Sequence, residues 1–146
     1  KPNINSKKSK MKLIYNGGNR KLSRVVKRAN EILLSSFYYI EIEKYLQLKY
    51  DEETASNFLK ELRSINKKVT IKGLWNPIGS KALKVKNDYI LINTAHLSKS
   101  HRILLAQLIT EYFLVLDQKE QLSQIIPFNK AIDLPDGFGA IARNFM

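Results

Sequence analysis

The residues from His101 to Asp117 constrain the fold of this chain more than any other stretch. Apolar side chains occupy almost every helical face of the sequence HRILLAQLITEYFLVLD, so a helix here is expected to be enclosed by the rest of the domain. A membrane span is not expected, because the apolar run is short and Gln107, Thr110 and Glu111 interrupt it. We therefore predict a core helix against which the other elements pack.

Glu111 is the acid in the middle of this core helix. A carboxylate surrounded by apolar side chains must find donors, bind a cation or take up a proton, because an unpaired buried charge is costly. Two interpretations follow. Glu111 is either a structural carboxylate that meets a Lys, an Arg or backbone amides, or a residue with a present or inherited chemical role.

Length and composition narrow the class of protein. The 146 residues suffice for one domain with a hydrophobic core. The chain contains no Cys, which excludes disulfides, cysteine zinc sites and thiol catalysis. No signal peptide or membrane segment is recognisable, so we expect the protein in the cytoplasm or inside an assembled particle such as a virion or a nucleoprotein complex.

The positive charge is concentrated near the beginning of the chain. Residues 1–30 contain ten Lys and Arg residues and no acid, whereas the other residues carry 15 basic and 13 acidic side chains. A basic segment on a nearly neutral body indicates contact with phosphates or an acidic partner, and the alternative is a solvated, disordered tail. The predicted polyanion-binding residues are Lys7, Lys8, Lys10, Lys12, Arg20, Lys21, Arg24, Lys27 and Arg28.

The chain divides into a basic arm over residues 1–18 and a single globular domain over residues 19–146. Residues 1–12 show no apolar periodicity, residues 13–15 suit a short strand, and residues 16–19 form a turn signal. From Arg20 onward, apolar residues recur at helical spacing with basic residues opposite them, which predicts an amphipathic helix. Such a helix suits a nucleic-acid backbone or an acidic protein better than a membrane, because no Trp or Phe accompanies its charges.

The remaining elements predict an α+β fold. We expect a helix from Phe37 to Leu46, with a strand as the alternative, and a helix that begins after Asp51. Strands over residues 69–75, 82–86 and 89–93 are expected to form a meander. The segment after Asp117 is expected to be irregular, with Asp133 and Asp136 in a surface loop, because Pro127, Pro135, Gly137 and Gly139 interrupt it.

Residues from about Arg24 to Asp117 resemble a family of small zincin-like metallopeptidase domains of bacterial and phage proteins. The order of elements is similar, with a helix ending in ANEIL, an FYYI segment, a strand VTIKGLW, a strand ending in ILINTAHL, and then the long helix. In that family the long helix carries HExxH, whose two histidines hold zinc while the glutamate activates water. The resemblance implies a zincin-like fold of N-terminal helices, a small sheet and a long buried core helix.

Only the glutamate of the family's motif is retained. The matching residues are Thr110, Glu111, Tyr112, Phe113 and Leu114, and neither Thr nor Leu replaces His as a zinc ligand. His96 and His101 do not share a helical face with Glu111, and residues 138–142 do not match the family's downstream ligand region. We therefore expect no metal and no other cofactor.

Three hypotheses follow. The first is a catalytically inactive, zincin-like domain that serves as a structural or interaction module and docks through its basic arm and helix onto a larger protein or nucleoprotein assembly. The second is a zinc hydrolase with Glu111 as general base. The third is a sequence-independent nucleic-acid-binding protein without zincin ancestry.

Overall fold

The computed structural model describes residues 11–75, 83–86, 89–93, 97–120 and 133–146. A short strand and three helices come first: β1 Leu13–Ile14, α1 Arg20–Leu33, α2 Ser36–Gln47 and α3 Glu52–Ser64. Three strands and two helices follow: β2 Val69–Trp75, β3 Leu83–Lys86, β4 Tyr89–Asn93, α4 His101–Glu120 and α5 Asp133–Arg143. The expected mixture of helices and one small sheet is confirmed, and none of the helices in these ranges is long and apolar enough to cross a membrane.

The four strands form one sheet in the order β1-β2-β4-β3. β2 runs parallel to both β1 and β4, and β3 runs antiparallel to β4. The predicted meander is confirmed only for the antiparallel pairing of β3 with β4. It is wrong for β2, because β4 rather than β3 lies next to that strand. The sequences account for this order: β4 reads YILIN and suits the interior of the sheet, whereas the alternating lysines of β3, LKVK, are typical of an edge strand.

Helix α4 lies at the centre of the domain, as the sequence predicts. Its buried side chains belong to the main hydrophobic core, and α1, α5 and the sheet pack around it. Its enclosure is incomplete, however, since Ile103 is 40% exposed and Glu111 is only half-buried. The buried residues of α4 are Leu104, Leu105, Leu108, Ile109, Tyr112, Phe113, Val115 and Leu116.

Strand β1 places the end of the predicted basic arm inside the fold. Leu13 is fully buried and pairs with Val69 of β2. The side chain of Asn30 on α1 binds the main chain at Lys12 and Leu13, and Asn19 caps α1 by accepting a hydrogen bond from the backbone N–H of Leu22. Residues 13–19 therefore connect the sheet to the basic helix, and Lys1 to Lys10 lie outside the described residues.

The described end of the chain is helical, so the prediction of an irregular segment and a surface loop there is wrong. Helix α5 includes Asp133 and Asp136, and its Pro135 lies in the first turn, where a missing N–H is tolerated. The Tyr38 hydroxyl on α2 donates to the Phe138 carbonyl at 2.7 Å. Tertiary contacts thus stabilise α5 as a helix, although its Pro and Gly residues have low helix propensity. Pro127 lies outside the described residues.

Candidate functional site

The exposed side of α1 carries a line of three cations. Arg20, Arg24 and Lys27 are all exposed, whereas Leu22 and Val25 on the opposite side are fully buried. The spacing of four and then three residues places the three cations on one side of the helix, over about 10 Å along its axis. None of the three side chains makes a hydrogen bond or an ion pair with a described residue. We call Arg20, Arg24 and Lys27 the basic stripe.

Two other predicted polyanion-binding residues on α1 hold the helix in place. The Lys21 ammonium donates to the Leu97 carbonyl at 2.5 Å and also to the carbonyl of Lys99. The Arg28 guanidinium bonds to Glu31 at 2.9 Å and donates to the Phe145 carbonyl. Lys21 and Arg28 therefore fix α1 between the start of α4 and the end of α5. Their charges are engaged within the domain.

Lys12 also has an intramolecular role. Its ammonium donates to the Ile65 carbonyl at 2.8 Å, where the chain leaves α3. Partial burial lowers the pKa of Lys12, because removal from water disfavours the charged form. Lys7, Lys8 and Lys10 are outside the described residues. Of the predicted set, the basic stripe is thus the part that the structure presents to solvent on α1.

Two exposed cations on the segment that contacts Lys21 were missed by sequence reasoning. Lys99 and Arg102 lie on the segment that the Lys21 ammonium holds against the beginning of α1. They stand more than 70 residues from Lys21 in the chain, and no local pattern connects the two regions. The helical periodicity of α1 alone therefore could not predict that a distant segment carrying two more cations contacts Lys21.

The residues matched to the HExxH motif have separate structural surroundings. The Thr110 hydroxyl lies 2.8 Å from the Ala106 carbonyl and 3.1 Å from the Pro135 carbonyl, to either of which it donates. Tyr112 and Phe113 are buried in the core, and Leu114 packs against it. Thr110 thus links α4 to α5, and Leu114 contributes to packing.

Glu111 lines an open groove between α4 and α5. The groove has a volume of about 330 Å³. The expectation that apolar side chains surround this carboxylate is therefore wrong, because the side of α4 that carries Glu111 is only partly covered by α5. Gln107 lies one turn before Glu111, and its buried Oε1 has no hydrogen-bond partner among the described residues. The groove is lined by Ile103, Ala106, Gln107, Thr110, Glu111, Asp136, Ala140 and Arg143.

The part of the chain with described coordinates contains no group of three His, Cys, Asp or Glu residues close enough to hold a metal ion. His101 is the first residue of α4 and is half-buried, and His96 lies outside the described residues. Glu111 and Asp136 both border the groove, but a general base of the zincin type needs a metal-bound water beside it. The described geometry supplies no ligand set for such a metal.

Searches of protein-family models, curated proteins and solved structures found no match to this chain.

Proposed function

We propose that this protein is a catalytically inactive, zincin-like domain that acts as an interaction module and docks electrostatically onto nucleic acid within a larger assembly. The observation that carries the proposal is the basic stripe, whose three cations are exposed and have no partner among the described residues. Burying these charges would be costly, and water hydrates them where they stand, so exposure alone assigns them no role. Their alignment on one side of α1, without acids among the described residues to pair them, is what suits an external polyanion.

The basic residues of the arm are expected to extend this interface. Lys7, Lys8 and Lys10 precede β1 by a few residues, and β1 leads through a short turn into α1. Phosphates spaced along a nucleic-acid backbone provide successive anions for such a series of cations. The sequence contains no base-reading motif, so binding is proposed to be independent of sequence.

The zincin-like part of the proposal rests on the resemblance of element order and on the position of Glu111. The two histidine positions of the motif hold Thr110 and Leu114, whose described contacts are structural. Those contacts favour an inactive domain over a hydrolase. No second activity is supported by a specific observation among the described residues.

Charge-neutralising substitutions test this function without disturbing the fold. Deleting residues 1–30 is unsuitable, because β1 and the buried face of α1 belong to the core. The test variant is Arg20→Gln, Arg24→Gln and Lys27→Gln together. The matched control is Lys60→Gln, Lys67→Gln and Lys68→Gln, which removes the same charge from positions on α3 and just after it.

Binding to duplex and single-stranded oligonucleotides would be measured by fluorescence anisotropy over a series of salt concentrations. The stripe variant is expected to bind more weakly and to reduce the slope of log K against log salt by about 2 to 3, since each lost phosphate contact removes roughly one unit. The control should retain most of the affinity. Equal losses in the two variants would show a nonspecific effect of net charge and refute the assigned interface.

A further inference from the structure

Helix α2 has apolar side chains on two opposite faces. One face packs into the domain through Tyr38, Tyr39, Ile42 and Leu46. The opposite face points to solvent, although Phe37 is 70% exposed, Ile40 47% and Leu48 85%. Of the six large hydrophobic residues exposed in the described chain, these three and Leu34 lie on α2 or at its ends. Such clustering marks a candidate interaction surface rather than scattered surface residues.

The solvent face of α2 also has a symmetric arrangement of apolar and charged residues. Phe37, Glu41, Lys44 and Leu48 follow one another at intervals of four, three and four residues, which places them on one side of the helix over about 16 Å. The spacing reads the same in both directions, with an apolar residue at each end and opposite charges in the middle. Glu41 and Lys44 form an exposed ion pair at 3.3 Å.

We propose that α2 is the interface of a symmetric homodimer, in which the solvent faces of two α2 helices pack antiparallel. A two-fold axis midway between residues 42 and 43 places Phe37 against the partner's Leu48. The same axis places Glu41 against the partner's Lys44. Each of these contacts then occurs twice, as in an isologous interface. The pattern is self-complementary, so the same face of a second copy provides both the apolar and the charged contacts.

The proposed pairing follows from apolar burial and charge together. Phe37 and Leu48 are the most exposed large hydrophobic side chains of the described chain, and both become covered. Glu41 and Lys44 now pair with each other on the exposed helix surface, where such an ion pair is weak. In the dimer, each side chain also contacts the opposite charge of the partner. A parallel arrangement would instead bring like charges together. The charges therefore select the antiparallel orientation.

This surface is separate from the basic stripe, because it lies on α2 while the stripe lies on α1. The dimer proposal and the nucleic-acid proposal can consequently be tested and refuted independently of each other. Substitutions on the solvent face of α2 also leave the buried residues Tyr38, Ile42 and Leu46 in place, so the variants are expected to keep the fold.

Charge reversal supplies a sharp test of the dimer. In the variant Glu41→Lys, both central positions are positive, and in the variant Lys44→Glu both are negative. Each variant alone is expected to dimerise at least about tenfold more weakly, because like charges then meet across the axis. An equimolar mixture of the two should recover dimerisation, because every central contact in the mixed dimer joins opposite charges.

Sedimentation equilibrium of the full chain over a wide range of concentrations would measure these associations, with circular dichroism as the check on folding. Lys60→Glu and Glu61→Lys on the exposed side of α3 are matched controls and should leave dimerisation unchanged. Phe37→Ser should weaken it through loss of apolar contact. A wild-type chain that stays monomeric, or a mixture of Glu41→Lys and Lys44→Glu that fails to associate, would overturn the proposal.

Discussion

The side-chain amide of Asn30 binds the main chain of Leu13 on both its donor and its acceptor. Asn30 Oδ1 accepts hydrogen bonds from the backbone N–H groups of Leu13 at 2.8 Å and of Lys12 at 2.9 Å, and Nδ2 donates to the Leu13 carbonyl at 2.9 Å. Leu13 is fully buried, and Asn30 is the buried polar residue of the described core. One side chain of α1 thus satisfies two main-chain groups of the two-residue strand β1 and the N–H of Lys12 just before it.

Replacing Asn30 is therefore expected to be costly. Asn30→Ala leaves buried backbone donors without partners and should lower the free energy of unfolding by about 2–4 kcal/mol. Urea denaturation followed by circular dichroism would measure the loss. Asn57→Ala is the matched control, because Asn57 is exposed on α3, and its effect should be close to zero. Similar values for the two variants would show that the Asn30 network does not stabilise the domain.

A second prediction concerns the close approach of α4 and α5. A Cβ at Gly139 would lie 2.4 Å from Thr110 Oγ1 and 2.5 Å from the Ala106 carbonyl oxygen. Because the Ala106 oxygen belongs to the helix backbone, Gly139→Ala should push the two helices apart and destabilise the domain by about 1–3 kcal/mol. Thermal unfolding would measure this effect. Gly18→Ala should be nearly neutral, since no atom lies within 4 Å of its added Cβ.

Buried tyrosines predict a loss of stability at high pH. Burial raises the pKa of Tyr39 to about 12 despite the nearby Arg63 cation, and its hydroxyl donates to the Leu33 carbonyl at 2.8 Å. Burial also raises the pKa values of Tyr38 and Tyr112. The unfolded chain loses these protons near pH 10 while the folded chain keeps them, so unfolding becomes progressively more favourable as the pH rises above about 10.

The Tyr39 contribution is present in full below pH 10 and is lost as the pH approaches 12. It should amount to about 1–3 kcal/mol across that interval. Urea midpoints between pH 8 and 11 would be compared for the wild type and Tyr39→Phe. The variant should be less stable at pH 8, because the hydrogen bond to Leu33 is lost, but its stability should fall less steeply with pH. Parallel pH profiles would contradict this assignment.

Substitution of Glu111 distinguishes the interaction-module hypothesis from the hydrolase hypothesis. Glu111→Gln should change the free energy of unfolding by less than about 1 kcal/mol, because the side chain is half-buried at an open groove. Nucleic-acid affinity should stay the same, since Glu111 is on α4 and the basic stripe is on α1. After incubation with zinc and dialysis, elemental analysis should detect no stoichiometric metal. One zinc per chain that is retained in Glu111→Gln but lost in His96→Ala or His101→Ala would instead support the hydrolase, because its general base is not a metal ligand.

The elements that sequence reasoning predicted well are those set by local patterns. The apolar periodicity around Val25 and Val26 gave α1, and the short apolar runs gave β2 and β4 with the observed bounds. The antiparallel pairing of β3 with β4 was predicted, but the parallel pairing of β2 with β4 was missed, because it depends on contacts between segments that are not consecutive. Helix α5 was missed for a similar reason: Gly139 suggests a turn in isolation but allows close packing against Ala106 in the fold.

In the candidate site, too, local patterns predicted some features, and contacts between distant segments determined the others. Periodicity predicted a basic face on α1, and Arg20, Arg24 and Lys27 are exposed there. It could not predict that Lys21 and Arg28 bond to distant carbonyls, because those acceptors lie 78 and 117 residues away in the chain. The groove beside Glu111 was likewise not predictable, since it forms only where α5 leaves part of α4 uncovered.

The hydrogen bond from Tyr38 to Phe138 spans 100 residues and has a consequence for biosynthesis. The inward face of α2 cannot be completed until α5 has left the ribosome, and β1 cannot pair with β2 until Val69 has emerged. The N-terminal helices are therefore synthesised well before the segments that cover them. During translation, Tyr38 and its apolar neighbours on α2 remain accessible to chaperones and proteases until Phe138 has emerged and can contact them.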